Sequence, residues 1–74
     1  MKSYRFSIII EKDKSGFFAF CPELQGCYTQ GKTYDEVRMN IGDAIKLHLQ
    51  DRISDGEKIL FPESISLSTV DVVV

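Results

Sequence analysis

The sequence is poor in cysteine, histidine and proline and has no long apolar run, and these shortages exclude several classes of protein. Its two cysteines, Cys21 and Cys27, are too few for a disulfide scaffold and are most simply free thiols in a reducing compartment. With a single histidine they cannot complete the tetrahedral ligand set of a zinc site. No apolar run approaches the roughly 20 residues that cross a bilayer, and the first residues lack the apolar core of a signal peptide. We therefore expect a cytoplasmic protein without a membrane span or a metal.

Charge of one sign is not concentrated anywhere in the chain. Nine Lys and Arg against eleven Asp and Glu give a net charge of −2, and the basic residues are scattered from Lys2 to Lys58. Direct binding of nucleic acid usually needs a concentrated positive face, so we expect none. The 43% apolar and 27% charged composition is that of an ordinary folded chain. A chain of this length makes one domain, residues 1–74, whose small core is often supplemented by oligomerisation.

Three strands are predicted in the first part of the chain. Residues 2–12 alternate with period two and are rich in β-branched and aromatic side chains, which is typical of a strand. Turn residues ending in Gly16 then lead to the apolar run 17–21, and the loop 22–26 leads to a third strand at 27–30. These elements predict an antiparallel meander.

A helix is predicted next, because Thr33 and Glu36 have the spacing of a capping box in which the Glu36 carboxylate reaches back to Thr33. The helix begins at Tyr34 and ends near Arg52. Its apolar positions fall on one stripe, with Tyr34 and Leu49 at the edge; the stripe consists of Val37, Ile41, Ala44, Ile45 and His48. We interpret His48 as a packed side chain rather than a ligand or a base.

A last strand is predicted over the valine-rich residues 65–74, which completes the order βββαβ in an α+β domain. A right-handed crossover through the helix would put this strand parallel to the first, in the spatial order 3-2-1-4. One helix then covers only one face of the sheet.

The second strand is apolar on both faces, so the uncovered face is expected to present aromatic side chains. Phe18 and Phe20 alternate with Phe17 and Ala19, and only one of these two sets can lie under the helix. We predict a surface for a second copy or a partner at Phe18, Phe20 and Tyr28, and a homodimer or a dimer of dimers.

Candidate catalytic groups are restricted to carboxylates. Glu11 and Asp13 at the first hairpin, Glu36 and Asp43 on the helix, and Asp71 in the last strand could be imagined as a two-metal nuclease site. Turn, cap and surface roles explain them more simply. The glycines stand singly rather than in a phosphate-binding pattern. We predict no catalytic residue, no cofactor and no enzyme.

Three motifs occur together along the chain: Cys-Pro-Glu-Leu-x-Gly-Cys at 21–27, Thr-Gln-Gly at 29–31, and Glu-x-x-x-Asn-x-x-x-Ala-Ile at 36–45. Over about residues 4–65 the sequence resembles the HicB-type antitoxin family. This resemblance implies a partial ribonuclease H-like fold and a partner, HicA, which is a small basic toxin that cleaves mRNA. We expect no C-terminal DNA-binding domain in residues 1–74. The alternatives are a stand-alone oligomeric HicB-like protein without a toxin and a remnant of a metal-dependent nuclease.

The motif residues are expected to have structural rather than catalytic roles. The glycines serve backbone geometry, the proline shapes its loop, and the amide of Asn40 ties the helix to a nearby strand or loop. The full set is Gly16, Pro22, Gly26, Cys27, Gly31, Thr33, Glu36 and Asn40.

Overall fold

A computed structural model describes residues 3–74 and contains three strands followed by one helix. The strands are β1 (Ile9–Asp13), β2 (Gly16–Phe20) and β3 (Tyr28–Gly31), and the helix is α1 (Tyr34–Ser54). The strands form an antiparallel sheet in the order β1-β2-β3, and α1 packs against β2 and β3. The predicted meander and the α+β class are confirmed.

The β1–β2 hairpin depends on a turn that only a glycine completes easily. The Asp13 carboxylate accepts a hydrogen bond from the Ser15 amide at 2.7 Å, which closes a local turn. Gly16 follows with a φ of +134°, a conformation that residues with a Cβ rarely adopt. The register then pairs Ile10 with Ala19 and Ile9 with Phe20.

The loop between β2 and β3 is held by its own backbone. Cys21 donates its amide hydrogen to the Cys27 carbonyl at 3.0 Å, and Cys27 donates to the Leu24 carbonyl at 3.1 Å. Gly26 has a φ of +81° at the return of the chain. The loop therefore folds inward and buries Leu24 in the core.

The helix begins at Tyr34 as predicted, because the Thr33 hydroxyl accepts the Glu36 amide hydrogen at 3.0 Å. Within residues 3–74 the Glu36 carboxylate makes no hydrogen bond back to Thr33, so the cap is half of the predicted capping box. The helix ends at Ser54, two residues later than predicted, and Gly56 follows with a φ of +77°.

The core lies between α1 and one face of the sheet. Val37 and Ile41 are the deepest helix residues, and Ala44 and Ile45 pack against the core beside them. His48 is half-buried on the same side, as the predicted stripe requires. The buried residues of the core are Ala19, Cys21, Leu24, Cys27, Val37 and Ile41.

The first strand is shorter than predicted. The predicted strand covers residues 2–12, of which Lys2 lies outside the described residues, whereas β1 begins at Ile9. Ile9 pairs with Phe20, the last residue of β2, so residues 3–8 extend past the end of β2 and have no strand beside them. Phe6 and Ile8 nevertheless pack against the core, so the period-two alternation continues through this segment.

The predicted fourth strand over residues 65–74 is wrong for this chain by itself. These residues form no strand within residues 3–74, and every one of their side chains is exposed. The strand order 3-2-1-4 is therefore not formed. The apolar pattern also changes phase, because Ile65 and Leu67 are followed by Val70 and Val72, and a continuous two-sided strand needs a constant phase. The ribonuclease H-like relation stays a prediction.

Two glycine substitutions test how closely α1 approaches β3. A Cβ on Gly31 would lie 2.7 Å from the Val37 backbone nitrogen, whereas a Cβ on Gly42 would meet nothing within 4 Å. We expect Gly31→Ala to lower the free energy of unfolding by about 1–3 kcal/mol, because the helix must move away. The exposed helix substitution Gly42→Ala should raise it by about 0.5–1 kcal/mol. Urea unfolding measures both, and a neutral Gly31→Ala would contradict the close contact.

Candidate partner-binding surfaces

The face of the sheet that α1 leaves uncovered carries an apolar row. Ala19 lies in the core, so its neighbours Phe18 and Phe20 point to the opposite face. The register extends the row from Ile9 through Phe20 to Tyr28. Phe20 is 39% exposed and Tyr28 is 75% exposed, whereas Phe18 is half-buried. The structure therefore brings the three sequence-predicted surface residues together, and we call Ile9, Phe18, Phe20 and Tyr28 the aromatic face.

A second surface lies on the outside of α1. Five exposed residues follow each other at a spacing of four, which sets them side by side along the helix. Carboxylates alternate with apolar side chains, and Met39 is 72% and Leu47 63% exposed. We call this set the acidic stripe; it consists of Asp35, Met39, Asp43, Leu47 and Asp51.

The apolar stripe of the predicted helix places Asp35 and Asp43 on the side away from the sheet, but it assigns no role to the exposed apolar residues between them. The signal was available, since an acidic–apolar alternation at every fourth residue is visible in the sequence.

Asn40 joins α1 to the edge of the sheet. Its side-chain amide donates a hydrogen bond to the Gln30 carbonyl of β3 at 2.9 Å. Together with the close approach of Gly31 to Val37, this bond fixes the angle of the helix on the sheet. The acidic stripe and the aromatic face are thereby held on opposite sides of one rigid unit.

The acidic residues that could suggest a nuclease are dispersed. Asp13 is engaged in the hairpin turn, Glu36 lies in the first turn of α1, and Asp71 is in the exposed segment 65–74. Within residues 3–74 no group of three or more His, Cys, Asp or Glu side chains could hold a metal ion.

A shallow pocket of about 300 Å³ lies at the turn end of the sheet, and its charged residues are Lys32 and Glu36. Within residues 3–74 the Ser15 hydroxyl makes no hydrogen bond to Glu36, the carboxylate of the lining, and His48 lies about three helical turns beyond Glu36 along α1. Covalent catalysis uses a nucleophile hydrogen-bonded to its base, and the described residues of the lining form no such pair. Its lining consists of Ser15, Phe17, Phe18, Gln30, Gly31, Lys32 and Glu36.

The two cysteines are buried structural thiols. Burial raises the pKa of Cys21 to about 11, and the nearby Glu23 carboxylate, 3.6 Å from its sulfur, adds to the rise. Burial also raises the pKa of Cys27, against a smaller lowering by Arg52. A reactive cysteine needs a lowered pKa and access to solvent, and neither thiol has them.

Among residues 3–74, no helix is both long enough and apolar enough to span a membrane.

The structure is thus a small antiparallel sheet covered by one helix, with two exposed surfaces and two buried thiols. A family model described as a HicB-like antitoxin of bacterial toxin-antitoxin systems matches residues 6–71. The chain belongs to the HicB-like antitoxin family. Family membership suggests a role without catalysis and implies a toxin partner in general.

Several relatives are similar to this chain over about three quarters of its length or more. A UPF0150 protein of Helicobacter pylori is 41% identical over 64 residues, which is 86% of this chain and 89% of the relative. A UPF0150 protein of Archaeoglobus fulgidus is 41% identical over 58 residues, covering 74% of this chain and 84% of the relative. A UPF0150 protein of Thermotoga maritima is 32% identical and covers 97% of both chains. No solved structure gives a significant match.

The raised thiol pKa values predict how stability depends on pH. Below the ordinary thiol pKa of 9.0 the thiols are neutral in both the folded and the unfolded chain, so their contribution is constant. Between 9.0 and about 11 the unfolded chain loses its Cys21 proton first, so the free energy of unfolding falls. Urea unfolding at a series of pH values measures this fall. A Cys21→Ala/Cys27→Ala variant should show a smaller fall, and an equal fall in both proteins would contradict the assignment.

Proposed function

We propose that this chain is an antitoxin that binds a HicA-type toxin and inhibits it by covering the surface through which the toxin meets RNA. Membership of the HicB-like antitoxin family supports a toxin as partner. The observation on this chain that carries the proposal further is the acidic stripe, because the resemblance of the sequence to HicB proteins implies a small basic toxin.

The chemistry of the acidic stripe suits such a partner. Three carboxylates, on Asp35, Asp43 and Asp51, face solvent in a row that winds slowly around the exposed surface of α1. Carboxylates of this kind attract the lysines and arginines with which a ribonuclease binds RNA phosphates. The range of this attraction is the Debye length, which shortens as the salt concentration rises. Met39 and Leu47 between them supply apolar contact area that charge alone does not provide.

Inhibition by this route needs no chemical step from the antitoxin. An interface of ordinary size buries about 800 Å² on each partner, which is enough to cover the RNA surface of a small toxin. Glu57, exposed just after α1, extends the acidic surface beyond the stripe. Catalysis, a cofactor and direct binding of nucleic acid are not part of the proposal, and the expected location is the cytoplasm.

A second candidate function rests on the aromatic face. A stand-alone HicB-like oligomer without a toxin would use Phe18, Phe20 and Tyr28 to join two copies, since an exposed apolar row on a sheet favours association. The same face serves the antitoxin proposal equally well, because an oligomeric antitoxin presents several acidic stripes at once.

Co-expression separates the two functions. We expect the gene next to the gene for this chain to encode a small basic protein that arrests bacterial growth when it is expressed alone. We expect co-expression of this chain to relieve the arrest. The purified chain by itself should leave RNA intact in Mg²⁺ or Mn²⁺. Absence of any such neighbour, or arrest that this chain does not relieve, would contradict the antitoxin function and leave the stand-alone oligomer.

Binding of the toxin should depend on the acidic stripe. We expect Asp43→Asn to weaken binding about threefold to tenfold and to reduce its salt dependence, because one attractive charge is removed from the interface. Glu63→Gln is the matched control, since it removes one exposed carboxylate away from the stripe. Calorimetric titration at low and physiological salt measures both effects. Equal losses in the two variants would show that only net charge matters and would contradict docking on the stripe.

A further inference from the structure

Residues 65–74 leave the body of the protein with their apolar side chains in solvent. Leu67 is 84% exposed, Val70 82% and Val73 96%, and within residues 3–74 no backbone-to-backbone hydrogen bond involves this segment. The radius of gyration is 14.3 Å, whereas a compact chain of this length has about 11 Å. A valine-rich segment of high β propensity is thus without a partner strand.

β1 is an edge strand, and some of its backbone groups are available to pair with an added strand. The Ser7 amide donates to both carboxylate oxygens of Glu23 at 3.1 Å, so the backbone of Ser7 faces the side of β2. Because backbone groups alternate between the two edges of a strand, Ile8, Ile10 and Lys12 present theirs to the opposite edge. No strand lies on that side within residues 3–74.

The other edge of the sheet is less available. Asn40 already donates to the Gln30 carbonyl on β3, and Gly31 is in close contact with the helix backbone at Val37. β3 is also only four residues long. An added strand would therefore find its open backbone groups on β1.

Residues 69–74 have one fully apolar side, as pairing beside the core-facing side chains of β1 requires. With period two, Val70, Val72 and Val74 share one side, and Thr69, Asp71 and Val73 share the other. Beside β1, Val70, Val72 and Val74 would continue the core-facing row of Ile8 and Ile10, and Asp71 and Val73 would lie on the opposite side, which is that of the aromatic face.

We propose that residues 69–74 of one copy pair with the free edge of β1 in a second copy, and that the exchange is reciprocal. Within its own chain, the Phe61 ring stacks on Tyr4 with centroids 6.1 Å apart and packs on Phe6 with centroids 5.2 Å apart, so the connector is held against the residues that precede β1. The later segment forms no strand beside its own β1 within residues 3–74. A two-fold exchange covers both β1 edges and both apolar segments in one closed dimer. The occupant is a second copy of this chain, and the proposal does not depend on a toxin.

This contact is distinct from the aromatic face. Strand exchange uses the edge of the sheet, whereas the aromatic face lies on its broad side around Phe20 and Tyr28. Use of both contacts would give a dimer of dimers.

Amide hydrogen exchange on the full chain, combined with light scattering, tests the proposal. We expect a dimer or a tetramer in which the amides of residues 69–74 are protected, and we expect isotope-filtered spectra of mixed labelled and unlabelled chains to show contacts between Val72 and Ile10 of different copies. An assembly in which these amides exchange freely, a monomer, or contacts confined to one chain would overturn the proposal.

Two matched variants distinguish exchange from association through the aromatic face. Val72→Asp puts a charge on the side of the segment that exchange buries, whereas Thr69→Asp puts the same charge on the opposite side. Both positions are exposed in the single chain, so neither variant should disturb its fold. We expect Val72→Asp to remove the protection of residues 69–74 and to weaken the dimer at least about tenfold, with Thr69→Asp close to the parent. Full protection in Val72→Asp would overturn the proposal.

Discussion

The close approach of α1 to β3 is the contact on which the rest of the structure depends. Gly31 has no side chain, so the backbone of Val37 comes against the strand, and Asn40 adds a hydrogen bond to Gln30 three residues further along the helix. Val37 and Ile41 then reach the core beneath. With so few buried residues we expect a small free energy of unfolding, because small domains bury a small share of their surface. The helix angle therefore decides which surfaces face outward.

Those outward surfaces are the features of the fold that a partner could contact. One helix covers one face of the sheet and leaves the aromatic face, the acidic stripe and the β1 edge available at the same time. Burial raises the thiol pKa values, and within residues 3–74 no group of three or more His, Cys, Asp or Glu side chains could hold a metal ion, which is consistent with a protein that acts by contact. Several separate contact surfaces on a small domain suit an antitoxin that both self-associates and binds its toxin.

Much of the fold could be predicted from the sequence, because its signals are local. A turn ending in Gly16, a cap at Thr33 and the apolar spacing from Val37 each act within a few residues. The prediction of a fourth strand is wrong for the single chain, because a valine-rich pattern indicates that a segment favours a strand but does not indicate which edge of the sheet it joins. The aromatic face follows from the alternation in β2, whereas the exposure of Met39 and Leu47 between the carboxylates of α1 is a feature that the structure adds.

The most direct test of the antitoxin function is a comparison of amide protection in this chain alone and in complex with a HicA-type ribonuclease encoded beside it. Added protection on binding reports the surface that the partner covers. The proposed mode of binding predicts that new protection concentrates along α1, at residues 35–51, and that the bound ribonuclease no longer cleaves RNA. Inhibition with no added protection on α1, or a complex that still cleaves RNA, would contradict it.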